Sequence, residues 1–139
     1  MSTAERFREI AEAAPFPLLV TVGADAHPSA RPMDLLRFDG RSMWFATSRS
    51  SRKVAEIEAH PKVTVVFVDN IRFNYAYLHG QASIVTDRTE KVDLWQDRWS
   101  DDWPEGPSDD DYVLIKVVGT KGTYYHGGTD EAGETGFPD

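Results

Sequence analysis

Short apolar runs along the chain predict a series of strands with three helices between them. Phe7 and Ile10 at helical spacing predict a helix over residues 4–13, which two prolines end. A second helix is predicted over residues 50–60 behind a serine N-cap, and a third from Asp87 to about Trp99. Strands are predicted over residues 17–23, 30–38, 43–47, 62–68, 73–85, 112–118 and 122–126.

This succession of elements predicts a mainly β fold. Most strands follow one another in hairpin order, and Asp39-Gly40 is a strong hairpin signal. Six to seven strands in this order favour an antiparallel barrel with short helices at its rim over alternating strands and helices. We expect one domain over residues 1–128. The polar, glycine-rich residues 129–139 are expected to form a tail that is mobile or lies against a neighbour.

Composition and charge narrow the class of protein. The chain has 139 residues, 40% of them hydrophobic, which is enough for one core. It has no cysteine, and its apolar runs are far shorter than the ~20 residues of a membrane-spanning helix. Charges occupy the N-terminal segment where a signal peptide would be apolar, so we expect a cytoplasmic protein. A net charge of −8 disfavours nucleic-acid binding.

One short segment concentrates positive charge in this acidic chain. Residues 49–53, RSSRK, carry three bases and no acid, whereas residues 87–111 carry ten acids and three bases. The segment opens the second predicted helix, whose free N–H groups and dipole favour an anion. Arg52 and Lys53 oppose that dipole unless an anion lies beside them. The segment therefore indicates either a phosphate site or an ordinary serine cap followed by solvated bases.

Tryptophans and histidines supply the other candidate positions. Trp95, Trp99 and Trp103 recur every four residues, which places Trp95 and Trp99 on one face of the third predicted helix. Packing in the core or between subunits is the usual explanation, and a ligand wall is the alternative. The four histidines show no metal-ligand spacing, and no serine lies in a nucleophile motif. We therefore expect no metal site, and the sequence identifies no catalytic residue.

Four segments of the chain carry recognisable motifs, and the order of these motifs is informative. The central segment contains Phe45-x-Thr47-x-x-x-Ser51-Arg52-Lys53, followed by a short helix, a proline and a β-branched strand. SARPMDLLRFDG precedes it, and YAYLHGQASIV and KGTYYHGG follow it. Together they resemble the pyridoxamine 5′-phosphate oxidase-like, FMN-binding split-barrel superfamily over about residues 5–128. The WxxxWxxxW segment and the acidic loop after it resemble the general stress protein 26 branch in particular.

The resemblance implies a homodimeric split barrel with FMN in a groove between the subunits. The family uses the positions of Ser51, Arg52 and Lys53 around the phosphate, and that of Thr47 near the ring. It places the strand that begins at Arg31 along the isoalloxazine and ribityl chain, and a tryptophan of the opposite subunit over the flavin. The further site residues implied in this way are Arg31, Pro32, Met33, Leu36, Trp95, Trp99 and Tyr125.

The chain departs from the oxidase itself at three places. Tyr75 aligns with a glutamine and Tyr125 with a tryptophan of the oxidase. After the Gly-Gly pair, TDEAGETGFPD has none of the arginine and histidine that handle pyridoxal phosphate there, so we expect pyridoxamine 5′-phosphate oxidation to be absent or very slow.

The function implied is an FMN-dependent oxidoreductase of unassigned substrate, with NAD(P)H as the candidate reductant. A flavin-binding stress or sensor module without turnover is one alternative. A deazaflavin (F420)-dependent reductase of the same fold is another.

Overall fold

The computed structural model describes residues 1–137, which form an eight-stranded antiparallel sheet with three α-helices around it. The helices are α1 (Thr3–Ala13), α2 (Arg52–Ala59) and α3 (Arg88–Leu94). The strands are β1 (Leu18–Val22), β2 (Pro28–Pro32), β3 (Arg37–Phe38), β4 (Ser42–Ser48), β5 (Lys62–Asp69), β6 (Asn74–Val85), β7 (Tyr112–His126) and β8 (Glu131–Gly136). None of the helices in this part of the chain is long and apolar enough to cross a membrane. The mainly β, antiparallel fold class is confirmed, with eight strands in place of the six or seven predicted.

The strands follow the order β2-β1-β5-β6-β7-β4-β3, and β8 pairs with β7 outside this path. β7 is long enough to pair with two different strands along one of its edges. Its first half, Tyr112 to Val118, pairs with β4, and its second half, Lys121 to His126, pairs with β8. The sequence predicts two strands here, but hydrogen-bonded partners on both sides keep the chain extended through the intervening glycine. β2 and β3 are the two ends of the strand order.

Residues 131–136 form β8 and pair with β7 of the same chain, in place of the expected tail that is mobile or lies against a neighbour. Strand pairing uses backbone groups, so a polar segment can pair as well as an apolar one once its partner is in place. The Tyr124 hydroxyl donates to Glu131 at 2.9 Å. The ring of Phe137 packs edge-on against Phe7, with the centroids 5.8 Å apart. Residues 138–139 of the predicted tail lie outside the described residues.

The core lies on the inner face of the sheet, and α1 covers it. Every second residue of β5 faces inward, as the alternation of Val63, Val65 and Phe67 predicts. From α1, Phe7 is fully buried and meets Phe67 edge to face at 6.4 Å between ring centroids. The helix begins with a capping hydrogen bond from the Glu5 N–H to the Ser2 hydroxyl.

The third helix is shorter than the sequence predicts. α3 ends at Leu94, and Trp95 has an extended backbone with φ −61° and ψ 142°. Trp99 lies in a separate 3-10 turn, Asp97–Trp99. The two tryptophans therefore do not share a helix face. Their rings still meet at 5.6 Å, because packing against Tyr112 on β7 decides the local backbone.

Candidate functional site

The basic segment RSSRK forms the turn from β4 into α2, and the acidic loop anchors it. Asp111 accepts the Arg49 N–H on its backbone carbonyl at 2.7 Å and the Ser50 N–H on its carboxylate at 2.9 Å. The hydrogen bond from the Ser50 N–H is the main cause that holds the pKa of the Asp111 carboxyl below its usual range. The start of α2 is thus held in place by Asp111, a residue distant from it in the sequence.

Ser51 occupies the N-cap position of α2, but its side chain does not cap the helix. Its backbone has cap geometry, with φ −72° and ψ 150°, yet its hydroxyl makes no hydrogen bond to the first turn. The hydroxyl instead lies 3.4 Å from the Thr47 hydroxyl. The first turn of α2 therefore lacks its usual side-chain acceptor, and its N–H groups can donate to an anion.

Lys53 extends back from the first turn of α2 to the end of β4. Its Nζ donates to the Thr47 hydroxyl at 2.9 Å, and Thr47 itself is buried. Burial, and to a smaller extent the charge of Arg31, lower the pKa of the Lys53 ammonium. Two cations therefore share a partly desolvated region, an arrangement that a bound anion would stabilise.

Arg31 reaches this region from the opposite end of the strand order. Its Nη1 donates to the Thr21 hydroxyl at 2.7 Å and to the Leu19 carbonyl at 3.2 Å. Its Nη2 lies 3.6 Å from Oε1 of Glu56 on α2. The Arg31 guanidinium is thus held along one edge by β1 and α2.

We call Arg31, Arg52 and Lys53 the cation cluster. Arg52 is exposed, and its Nε lies 3.6 Å from Oε2 of Glu56. The cluster draws on β2 at one end of the strand order and, through Thr47, on β4 near the other end, with α2 between them. Arg31 and Arg52 lie beside the buried Glu56 carboxylate, and the charge of Arg52 also acts on Asp25, so the three cations still outnumber the two carboxylates. A phosphate monoester carries about −1.5 to −2 at pH 7, so the donor set suits that group.

The remaining residues implied by the resemblance lie apart from the cation cluster. Met33 is buried in the main core, and Pro32 is exposed at the end of β2. Leu36 packs against an aromatic cluster of Trp95, Trp99, Trp103 and Tyr112. Tyr125 lies elsewhere, stacked on Tyr75 at 5.6 Å between ring centroids.

The aromatic cluster is packed within this one chain. Its ring centroids lie between 5.1 and 6.3 Å apart, and Trp103 and Tyr112 are buried. The Trp103 indole donates to the Ser48 hydroxyl at 3.1 Å, directly beside Thr47. Core packing, the usual explanation of the tryptophan spacing, therefore accounts for most of this aromatic surface.

A row of aromatic side chains lies on the outer face of the sheet. Tyr77, Tyr75 and Tyr125 stack in sequence, with successive interplanar angles of 4° and 19°. Val68 on β5 and Phe73 in the turn before β6 continue the row at 40% and 73% exposure, an unusual amount of exposed apolar surface. We call these five residues the outer aromatic face.

Sequence reasoning missed Thr21 and Glu56, which complete the surroundings of the cation cluster. The Thr21 hydroxyl donates to Oε1 of Glu56 at 2.9 Å, and both residues are buried. Thr21 lies in a strand that reads as ordinary core, so it carried no signal. Glu56 follows Arg52 by four residues and precedes the buried Ile57, and this spacing on the inner side of α2 was the available signal.

The family model "Pyridoxamine 5'-phosphate oxidase like" matches residues 2–134, and the chain belongs to that family. A solved protein from Clostridium acetobutylicum, related to general stress protein 26, is 27% identical, with a TM-score of 0.81 and coverage of 96% of this chain and 94% of that one. General Stress Protein 26 from Bacillus anthracis is 29% identical, with a TM-score of 0.77 and coverage of 97% and 100%.

The curated relatives match over a shorter region. A pyridoxine/pyridoxamine 5′-phosphate oxidase from Myxococcus xanthus is 37% identical over 70 residues, which is 50% of this chain and 34% of that oxidase. The match thus spans about a third of the curated relative's length. Structures of the same fold also include an F420 reductase (25% identity, TM-score 0.64, coverage 84% and 94%) and a heme binding protein from Mycobacterium smegmatis (16%, 0.75, 98% and 58%). The family of this chain is therefore established, while proteins of the same fold include both an F420 reductase and a heme binding protein.

Proposed function

We propose that this protein binds FMN and that the cation cluster holds the FMN phosphate. The observation that carries the proposal is the start of α2, where the Ser51 hydroxyl leaves the helix uncapped and lies beside Thr47 and Lys53. Oxygens of a phosphate would accept from the helix N–H groups, from Ser51 and from the cations. The alternative of solvated bases fits Arg52 but not Lys53, whose ammonium is partly desolvated.

The rest of the cofactor would lie along residues 31–36, as the family resemblance implies. In this arrangement Arg31 belongs to the phosphate end, because its charge acts on Lys53. Leu36 and the aromatic cluster would form an apolar wall at the ring end. A bound isoalloxazine supplies hydride or single-electron transfer, and the protein's residues bind it, orient it and exclude water. We propose a flavin-dependent oxidoreductase, with a nicotinamide such as NAD(P)H as reductant.

A deazaflavin cofactor is the second candidate, because an F420 reductase is among the structural neighbours. F420 carries a longer acidic tail than FMN, which would ask for more basic side chains than the cation cluster supplies. The phosphate monoester of FMN, with a charge of about −1.5 to −2, suits the three cations better. Mass measurement of the cofactor released from the purified protein separates the two candidates.

The proposal includes a homodimer. The outer aromatic face exposes Val68, Phe73 and Tyr75 on a single chain. We propose that a second copy of the chain covers the outer aromatic face. Tyr125 lies on this face and is also one of the positions that the family resemblance assigns to the flavin site. Light scattering is expected to give twice the mass of one chain. A monomer that still holds flavin would contradict this part of the proposal.

Titration with FMN and with riboflavin tests the phosphate assignment, because riboflavin lacks the phosphate. Each charge-assisted hydrogen bond contributes about 1.5–3 kcal/mol, so Arg52→Ala or Lys53→Ala should weaken FMN binding roughly 10- to 100-fold. Riboflavin binding should change far less. Arg49→Ala is the matched control, because Arg49 lies in the same segment but is exposed, and its charge acts on Asp111. Unchanged FMN affinity in both test variants, with the fold intact, would refute the assignment.

A further inference from the structure

Glu56 is a buried carboxylate whose contacts all belong to the cation cluster and its surroundings. The side chain is 8% exposed. Oε1 accepts from the Thr21 hydroxyl at 2.9 Å and lies 3.6 Å from Arg31 Nη2, while Oε2 lies 3.6 Å from Arg52 Nε. The backbone packs closely on it, because a Cβ at Gly23 would lie 2.8 Å from Oε2. The carboxylate therefore has little room to move.

The hydrogen bonds form a directed chain from Arg31 to Glu56. A guanidinium can only donate, so the Thr21 hydroxyl must accept from Arg31 Nη1 at 2.7 Å. That hydroxyl then has its single proton left for Glu56, which accepts it. The chain fixes the rotamer of Thr21 and, through it, the plane of the guanidinium. These contacts engage Nη1 and Nη2 of Arg31 and hold the guanidinium in one orientation.

We infer that Glu56 is a positioning residue, which acts through Thr21 to hold Arg31 in the orientation that receives the phosphate. This inference rests on the proposed function, since it concerns the same site. Glu56 need not touch the ligand. Its effect is to order the Arg31 side chain before binding, so that the entropy of ordering it is not lost when the ligand arrives.

Two substitutions at Glu56 separate its geometry from its charge. Glu56→Gln retains an oxygen that can accept from Thr21, whereas Glu56→Ala removes the acceptor. Glu56→Ala should weaken FMN binding about 2- to 12-fold, which corresponds to the cost of ordering one long side chain on binding. Riboflavin binding should be unchanged, and Glu56→Gln should recover most of the FMN affinity. Glu58→Ala is the matched control, because Glu58 is an exposed glutamate on the same helix.

Thr21→Val tests the relay without touching a charge. It keeps the shape of the side chain but breaks the hydrogen bonds to Arg31 and Glu56, so it should reproduce the selective loss of FMN affinity. This variant also stands in if Glu56→Ala does not fold. An unchanged ratio of FMN to riboflavin affinity in Thr21→Val would overturn the inference. Equal losses for Glu56→Gln and Glu56→Ala would also overturn it, since charge rather than geometry would then be at work.

A measurement without flavin distinguishes this inference from the proposed function. Nitrogen NMR of the arginine guanidinium groups reports how fast each group rotates. In the ligand-free protein the Arg31 signals should show slow rotation, and Thr21→Val should accelerate it. If wild-type protein binds FMN no better than riboflavin while Arg31 is held in this way, the phosphate assignment fails and only the ordering of Arg31 by Thr21 and Glu56 stands. If Arg31 rotates as freely in the wild type as in Thr21→Val, the positioning role fails.

Discussion

Trp44 and Trp103 differ in one respect that can be measured, the hydrogen bonding of the indole N–H. Both side chains are buried, at 5% and 7% exposure. The Trp103 indole donates to Ser48 at 3.1 Å, whereas the buried Trp44 indole N–H has no hydrogen-bond partner among residues 1–137. Replacing each tryptophan with phenylalanine removes the N–H and leaves a buried ring. The two substitutions should therefore have unequal effects on stability.

The magnitudes follow from these contacts. Trp103→Phe removes a hydrogen bond worth about 0.5–1.5 kcal/mol. It also weakens aromatic contacts with three rings, and pairs of this kind contribute about 0.5–1.5 kcal/mol each, so we expect a total cost of about 1.5–3 kcal/mol. Trp44→Phe weakens cation–π contacts with Arg37 and Lys116, worth about 0.5–1 kcal/mol each. It also relieves an unsatisfied buried donor, which costs about 1–3 kcal/mol, so its net effect should be near zero.

Urea unfolding followed by far-UV circular dichroism measures the difference, because tryptophan fluorescence itself changes in both variants. We expect Trp103→Phe to be less stable than Trp44→Phe by at least about 1 kcal/mol, or about 3–5 °C in Tm. An equal or greater loss for Trp44→Phe would refute the reasoning from hydrogen-bond satisfaction.

Three further predictions concern the frame of the fold. Gly133→Ala should lower the free energy of unfolding by about 1–3 kcal/mol, because its Cβ would lie 2.5 Å from the Tyr124 hydroxyl. Gly136→Ala, whose Cβ would have nothing within 4 Å, should leave the stability unchanged, and thermal melts of the two variants measure the difference. Phe7→Ala should cost about 3–5 kcal/mol in urea unfolding because the ring is fully buried, and exposed Val92→Ala should cost little. The pKa of the Asp69 carboxyl is held below its usual value of 3.8 by hydrogen bonds, above all the one from the Arg72 N–H. The ionised Asp69 therefore contributes its full stabilisation above pH 3.8, and this contribution is lost as the pH falls through the pKa of the folded state. In Asp69→Asn the free energy of unfolding should therefore fall less between neutral and acid pH than in the wild type. The same pH dependence in both proteins would contradict this.

Local patterns in the sequence predict the elements that carry the site. Alternating residues identify β5, and the serine-led helix after β4 is found within two residues of its start. The clustering of bases at 49–53 points to an anion because charges that oppose a helix dipole are costly without a partner. These inferences depend only on neighbours in sequence, so they need no knowledge of the fold.

The features that the sequence does not predict depend on distant partners. Trp95 leaves the helix because its ring packs on Tyr112, which is seventeen positions further along the chain. The extended conformation of residues 131–136 depends on the free edge of β7. Thr21 meets Glu56 because β1 passes beside α2, and although the spacing of Arg52 and Glu56 is visible in the sequence, no local pattern reports the contact with Thr21.

The cation cluster connects β2, at one end of the strand order, with β4, near the other end, and this connection affects which parts of the native sheet open locally. β2 forms its ladder with β1 alone, so its amide protons are expected to exchange through local fluctuations that leave the rest of the sheet intact. Arg31 links this strand to α2 through Glu56, and Lys53 links α2 to β4. An anion bound among them would join these segments into one cooperative unit. Its occupancy would then slow hydrogen exchange in β2 and in the first turn of α2 together, by the factor 1 + [L]/Kd, while exchange at the β5–β6 hairpin would keep its own rate.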